Sequence, residues 1–152
     1  MRRIACLIAF IALLAPLSAR AQANLPPHAW LFGAWIGGLY PPPSSVTAQE
    51  CLAQPVVIFT RDIVMRVVIT DTSYTQRLVE SARATGDGVE FRFSRPVSAA
   101  QGPFGLSAAA AQDVGFGCIS PDILRVQRRS ENEISFPGCT DFAYPLVRCP
   151  GR

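Results

Sequence analysis

Lysine is absent from this 152-residue chain, histidine occurs once and charged residues make up only 16%. A single imidazole, His28, excludes any multi-histidine metal centre. Beside Pro26 and Pro27 it reads as an exposed surface ring rather than a general base. No C-x-x-C, H-E-x-x-H or G-x-S-x-G string occurs, which removes paired-cysteine zinc sites, zincins and nucleophile elbows. Gly115-Phe116-Gly117 lacks the lysine and the following helix of a phosphate loop. The acids fall in turns or alternate outward, away from the paired geometry of glycoside hydrolysis. Composition thus assigns no catalytic residue, no metal and no cofactor.

What is present begins with an export signal. Met1-Arg2-Arg3 precedes an apolar run over residues 4–14, and Ala21-Gln22-Ala23 supplies the small-residue ending. Basic start, apolar centre and A-x-A end describe a cleavable secretory signal over 1–23. The run falls short of the roughly 20 apolar residues a membrane span needs; an uncleaved anchor is the rival reading. Removing 23 of 152 residues leaves 129, enough for one domain over 24–152 with no transmembrane segment. The mature chain would carry 11 Arg against 11 Asp and Glu. Such a balance gives no global field toward nucleic acid.

Cleavage removes Cys6 and leaves Cys51, Cys118, Cys139 and Cys149. An even count in an exported chain implies two disulfides, with three connectivities open. Sequence proximity favours Cys139–Cys149 as a local clamp and Cys51–Cys118 as the long staple.

The mature sequence reads as short strands divided by turn residues. Residues 30–40 form a first strand, ended by Pro41-Pro42-Pro43. Residues 55–70 exceed the usual strand length and split at Thr60-Arg61-Asp62 into strands over 56–59 and 63–69. Asp71-Thr72-Ser73 has turn chemistry. Residues 74–85 fit helix or strand. Gly86-Asp87-Gly88 marks a hairpin, and Val89, Phe91 and Phe93 alternate with polar residues, which favours strand from 78 to 84. A loop over 94–103 and an alanine run over 107–112, helix or strand, follow. Gly115-Phe116-Gly117-Cys118 signals backbone pressed against a neighbour. Residues 123–129 and 133–136 make a last hairpin, and 137–152 read as an irregular tail. The expected fold is mainly β: one small, disulfide-stapled antiparallel barrel or sandwich of about seven to eight strands, with at most one short helix.

Gly33-Ala34-Trp35 resembles the G-x-W that opens lipocalin-like barrels and the small periplasmic protease inhibitors of similar eight-stranded shape. The resemblance implies that Trp35 plugs one end of a barrel. The Ser-Gly motif of periplasmic lysozyme inhibitors is absent.

Three functions follow in order. The first is a non-catalytic periplasmic or secreted binding module: a small accessory subunit or inhibitor docking on a larger envelope or periplasmic protein, an envelope oxidoreductase complex being one form. Its candidate contacts are Trp30 and Tyr40, beside prolines at the strand ends, and Arg66, which faces an anion or pairs internally. The second is a lipocalin-like carrier of a small apolar ligand, with Phe59, Met65, Val67, Phe91 and Phe93 lining a cavity. The third is an enzyme using Arg66, Asp62 or a tyrosine.

Overall fold

The computed structural model describes residues 25–43, 45–53, 56–68, 71–94 and 115–151. The expected signal peptide, most of the loop over 94–103 and the alanine run over 107–112 lie outside the described residues. A 3-10 turn, Ala29–Leu31, precedes strand β1, Gly33–Gly37. The short helix α1, Ala48–Ala53, follows. Seven further strands complete the chain: β2 Val57–Phe59, β3 Ile63–Val68, β4 Asp71–Ala84, β5 Gly88–Phe93, β6 Ile123–Arg128, β7 Glu133–Ser135 and β8 Leu146–Arg148. They pair antiparallel in chain order, and β8 returns to β1. The result is a closed eight-stranded antiparallel barrel, which leaves no open edge row to template aggregation.

β4 is 14 residues long because it turns a corner. Its first half pairs with β3 and its second half with β5, and the register shifts between Val79 and Ser81. Such a bulge bends a strand and sharpens its twist, so one chain segment can serve both sides of a strongly curved sheet. Asp71, expected in a turn, starts this strand. The helix alternative for 74–85 loses to the ladder on both sides.

The period-two alternation fills the inside. Trp35, Val57, Phe59, Val64, Val89, Phe91, Phe93, Leu124, Val126, Ile134 and Leu146 point inward and are fully buried. Each such large apolar side chain contributes roughly 1.5–3 kcal/mol of burial. Phe59, Phe91, Phe93 and Phe116 stack in sequence with ring centroids 5.7 to 6.1 Å apart. Phe136 closes on Phe59 and Phe116 edge-on.

Two boundaries differ from expectation. The first strand begins at Gly33, because Ala29–Leu31 coils into the 3-10 turn. The tail is not irregular throughout: Leu146–Arg148 is the strand that closes the barrel, pairing with both β7 and β1. Helix α1 starts on a capping box, in which Glu50 accepts from the Thr47 amide at 2.8 Å and Thr47 Oγ1 accepts from the Glu50 amide at 3.3 Å. The Thr47 amide, and after it the Thr47 hydroxyl donating at 2.9 Å, hold the Glu50 carboxyl below its ordinary pKa.

Candidate functional site

The barrel has two mouths, and each is closed by an arginine set over aromatic rings. At the first mouth, where β1 begins and β8 ends, the 3-10 turn folds in so that Leu31 is wholly buried. Trp35 Nε1 donates to the Leu31 carbonyl at 2.9 Å. Arg148 lies 4.3 Å over the Trp35 ring and donates to the carbonyls of Phe32, at 3.1 Å, and of Trp30. Burial lowers the pKa of Arg148, and the nearby positive charge of Arg128 adds to the effect. The carbonyl dipoles and the indole face are what hold a cation there. His28 completes the plug. It is 2% exposed, edge-on to Phe32 and Phe91, and its Nε2 donates to the Arg61 carbonyl at 3.0 Å. The expected surface imidazole is therefore a core residue, because the 3-10 turn directs it onto the Phe91 ring.

At the second mouth, Arg66 and Arg77 point into the barrel from β3 and β4. Arg66 is 3% exposed. It donates to Asp141 at 2.9 Å and to the Gly115 carbonyl, and lies 5.6 and 5.4 Å from the Phe116 and Phe142 ring centroids. Arg77 reaches the Pro121 carbonyl and Asp122, both at 3.2 Å, above Phe93. An unpaired guanidinium at this depth would cost several kcal/mol, so these acids are what permit it. Gly117 adopts φ +63°, and a Cβ there would stand 2.3 Å from Asp141 Oδ1. Glycine at this position lets the lid loop approach the ion pair, the close contact its sequence signals.

Both disulfide pairs differ from the favoured ones. Cys51 bonds Cys149, 98 residues away, and Cys118 bonds Cys139, 21 residues away. Closure of β8 onto β1 sets Cys149 beside α1, whereas Cys118 and Cys139 meet as an isolated bridge in the second-mouth lid. Nearness in sequence misled; nearness across the barrel decided.

The candidate contact residues do not converge. Trp30 is half-buried at the first mouth with Arg128 5.1 Å over its ring. Tyr40 follows β1 at the second mouth and is 71% exposed, whereas Arg66 is buried inside that mouth. The Gly38 carbonyl accepts from the Tyr144 amide, so a second exposed tyrosine stands near Tyr40. Of the supposed cavity lining, Phe59, Phe91 and Phe93 do face inward, but they fill the axis. Met65 and Val67 are on the opposite side of β3 from Val64 and Arg66 and face outward. Asp62 is exposed in the β2–β3 turn. Among the described residues no group of three or more His, Cys, Asp or Glu could hold a metal.

The outside of the barrel has two characters. Over β2–β4 the outward residues are Ile58, Ile63, Met65, Val67, Tyr74 and Leu78, the last 54% exposed, with polar Gln76 among them opposite Met65. Over β4–β6 they include Arg83, Glu90, Arg92 and Arg125, with Ser81 and Ile123 beside Arg92 and Gln127 next along β6. Glu90 accepts from Arg125 Nε at 2.9 Å and from Arg83 at 3.2 Å. Its carboxyl is held below the usual range, chiefly by the Arg125 hydrogen bond. Sequence alternation placed these side chains outward, but their side-by-side register needed the fold. No family model matches this sequence, and no curated protein or solved structure matches it.

Proposed function

We propose that this chain is a non-catalytic, exported binding module: a small accessory subunit or inhibitor that docks on a larger periplasmic or envelope protein. The observation carrying this reading is the filled axis. Five phenylalanines pack along it, and an arginine over aromatic rings closes each mouth. A barrel filled by its own side chains has no interior to offer a ligand of ordinary size, whose pocket would need about 300 Å³ or more. The same packing disfavours the lipocalin-like carrier. Function then resides on the outer surface, where an apolar face and an arginine-rich face stand on adjoining strands. The likeness of Gly33-Ala34-Trp35 to the small protease-inhibitor barrels belongs to this reading, and the buried Trp35 at the first mouth supports it. The two disulfides suit an oxidising compartment, consistent with export through the 1–23 signal.

The test is an affinity capture of tagged mature protein from envelope extract under native conditions. One stoichiometric partner that resists washing is expected. A protein that stays monomeric in cross-linked native extract, with no retained partner, overturns the proposal.

A further inference from the structure

The segment between β1 and α1 is held at both ends and exposed in the middle. At its start, the Gly38 amide donates to the Pro145 carbonyl at 3.1 Å, and the Gly38 carbonyl accepts from the Tyr144 amide at 2.8 Å. At its end, the Thr47–Glu50 capping box opens α1, and Cys51 in that helix is bonded to Cys149. Between these anchors runs Tyr40-Pro41-Pro42-Pro43. Tyr40 is 71% exposed and Pro41 and Pro43 are exposed. Pro42 is half-buried, its Cβ 3.3 Å from where a Cβ on Gly37 would stand.

Covalent chemistry fixes the shape of these four residues. Each proline ring holds φ at about −65°, and each residue before a proline is driven out of the helical region into extended backbone. No peptide bond among the described residues is cis. Tyr40, Pro41 and Pro42 each precede a proline, so the run is a left-handed polyproline turn, with about three residues per turn and about 3.1 Å of rise per residue. That repeat sets Tyr40 and Pro43 on one edge, roughly 9 Å apart, and Pro42 on another. The exposure follows the same pattern: the Tyr40–Pro43 edge and Pro41 meet solvent, while Pro42 packs on Gly37.

Ending a strand does not require this. β1 already stops at Gly37, and a single proline blocks a ladder. Proline has no N–H, so residues 41–43 can only accept hydrogen bonds. The carbonyls of Tyr40, Pro41, Pro42 and Pro43 accept none among the described residues. Pro42 and Pro43, with Val46, Val147 and Pro150 among others, wall a groove of about 660 Å³, room for an aromatic ring beside the proline face. Residues 24–49 contain no Asp, Glu, Lys or Arg, so charge does not lead the contact. A rigid surface of proline rings and free carbonyls is matched by aromatic rings that stack on the prolines and by indole N–H groups that donate to the carbonyls. Because the turn is preformed, little ordering is lost on binding.

We propose that Tyr40–Pro43 is a preformed polyproline ligand, which enters a tryptophan-containing aromatic groove of the partner protein by its Tyr40–Pro43 edge. This rests on the docking function proposed above and names the contact that performs it.

Partner held on tagged mature protein from envelope extract is challenged with two soluble peptides. One is residues 38–45 of this sequence, and the other has alanine at its three proline positions. The proline peptide is expected to release the partner, and the alanine peptide to need at least tenfold more. Titrated into the released partner, the proline peptide should shift the partner's tryptophan emission. In the protein, Tyr40→Ala with Pro43→Ala strips the outer edge and leaves Pro42 on Gly37, so at least tenfold less partner should be retained. Thermal unfolding verifies the fold of that variant, and Pro43→Ala alone is the milder backup. The inference is overturned if neither peptide releases the partner, if the alanine peptide releases it as well, if its tryptophan emission does not change, or if raised salt alone elutes it. A partner held equally by variant and wild type sinks this inference alone, whereas no partner for either sinks the docking function beneath it.

Discussion

The two mouths of the barrel solve one problem in different ways. Each must close an aromatic core with a polar loop, and each does so by laying a guanidinium over aromatic rings. At the first mouth Arg148 is met by neutral groups, the carbonyls of Trp30 and Phe32. At the second, Arg66 is met by a formal charge, Asp141, on a loop that is itself tied by Cys118–Cys139. What differs is which partner is exchangeable. Carbonyls released by losing Arg148 can turn to water, and Asp141, 38% exposed, already touches it. Arg66 does not, and its Nε finds no partner among the described residues. Removing the acid therefore costs more than removing the arginine, which takes the buried charge away with it.

The largest expected effect comes from the staple beside Arg148. Cys51→Ser with Cys149→Ser should lower stability by about 4–5 kcal/mol, against about 3 kcal/mol for Cys118→Ser with Cys139→Ser, since the longer loop restricts the unfolded chain more. Guanidinium unfolding of the two double variants measures the order. A larger loss at the second mouth would mean that the lid, not the seam, carries the fold.

Next is the asymmetry within the second mouth. Asp141→Asn should cost about 2–4 kcal/mol, the partial exposure of Asp141 keeping it near the lower end, because it leaves a buried cation without its counter-charge. Arg66→Met, which fills the space between Phe116 and Phe142 with an unbranched apolar chain, should stay within about 1 kcal/mol of wild type. Urea midpoints decide it, and equal losses would remove the argument about exchangeable partners.

The smallest of the three concerns the first mouth. Arg148→Met keeps bulk over Trp35 and loses the bonds to Trp30 and Phe32, so about 1.5–3 kcal/mol is expected. Indole fluorescence should report the change, as Trp30 and Trp35 are the only tryptophans. An unchanged emission maximum with unchanged stability would show that the stack alone suffices.

Much of this architecture was legible. The split at residues 60–62, the hairpin at 86–88 and the last hairpin rest on local turn chemistry and alternation, and the strands fall there. The capping box at Thr47 and Glu50 is also written in the chain as T-x-x-E before a cysteine-containing helix, a local signal masked by the strand pattern on either side. β8 was not legible. Three residues in a proline-flanked tail carry too little pattern, and their strand character arises only from partners on both sides.

By itself the sequence determined the alternation of apolar and polar side chains, hence a mainly β body, and the supply of Cys51, Cys118, Cys139 and Cys149 to staple it. Those follow from neighbours a few residues apart. Which cysteines meet, which acid neutralises Arg66, and that Arg83, Glu90 and Arg125 stand in one row were decided only by closure of the barrel. The physical reason is that pairing across a closed sheet depends on register and stagger, and these are set by contacts between residues tens of positions apart.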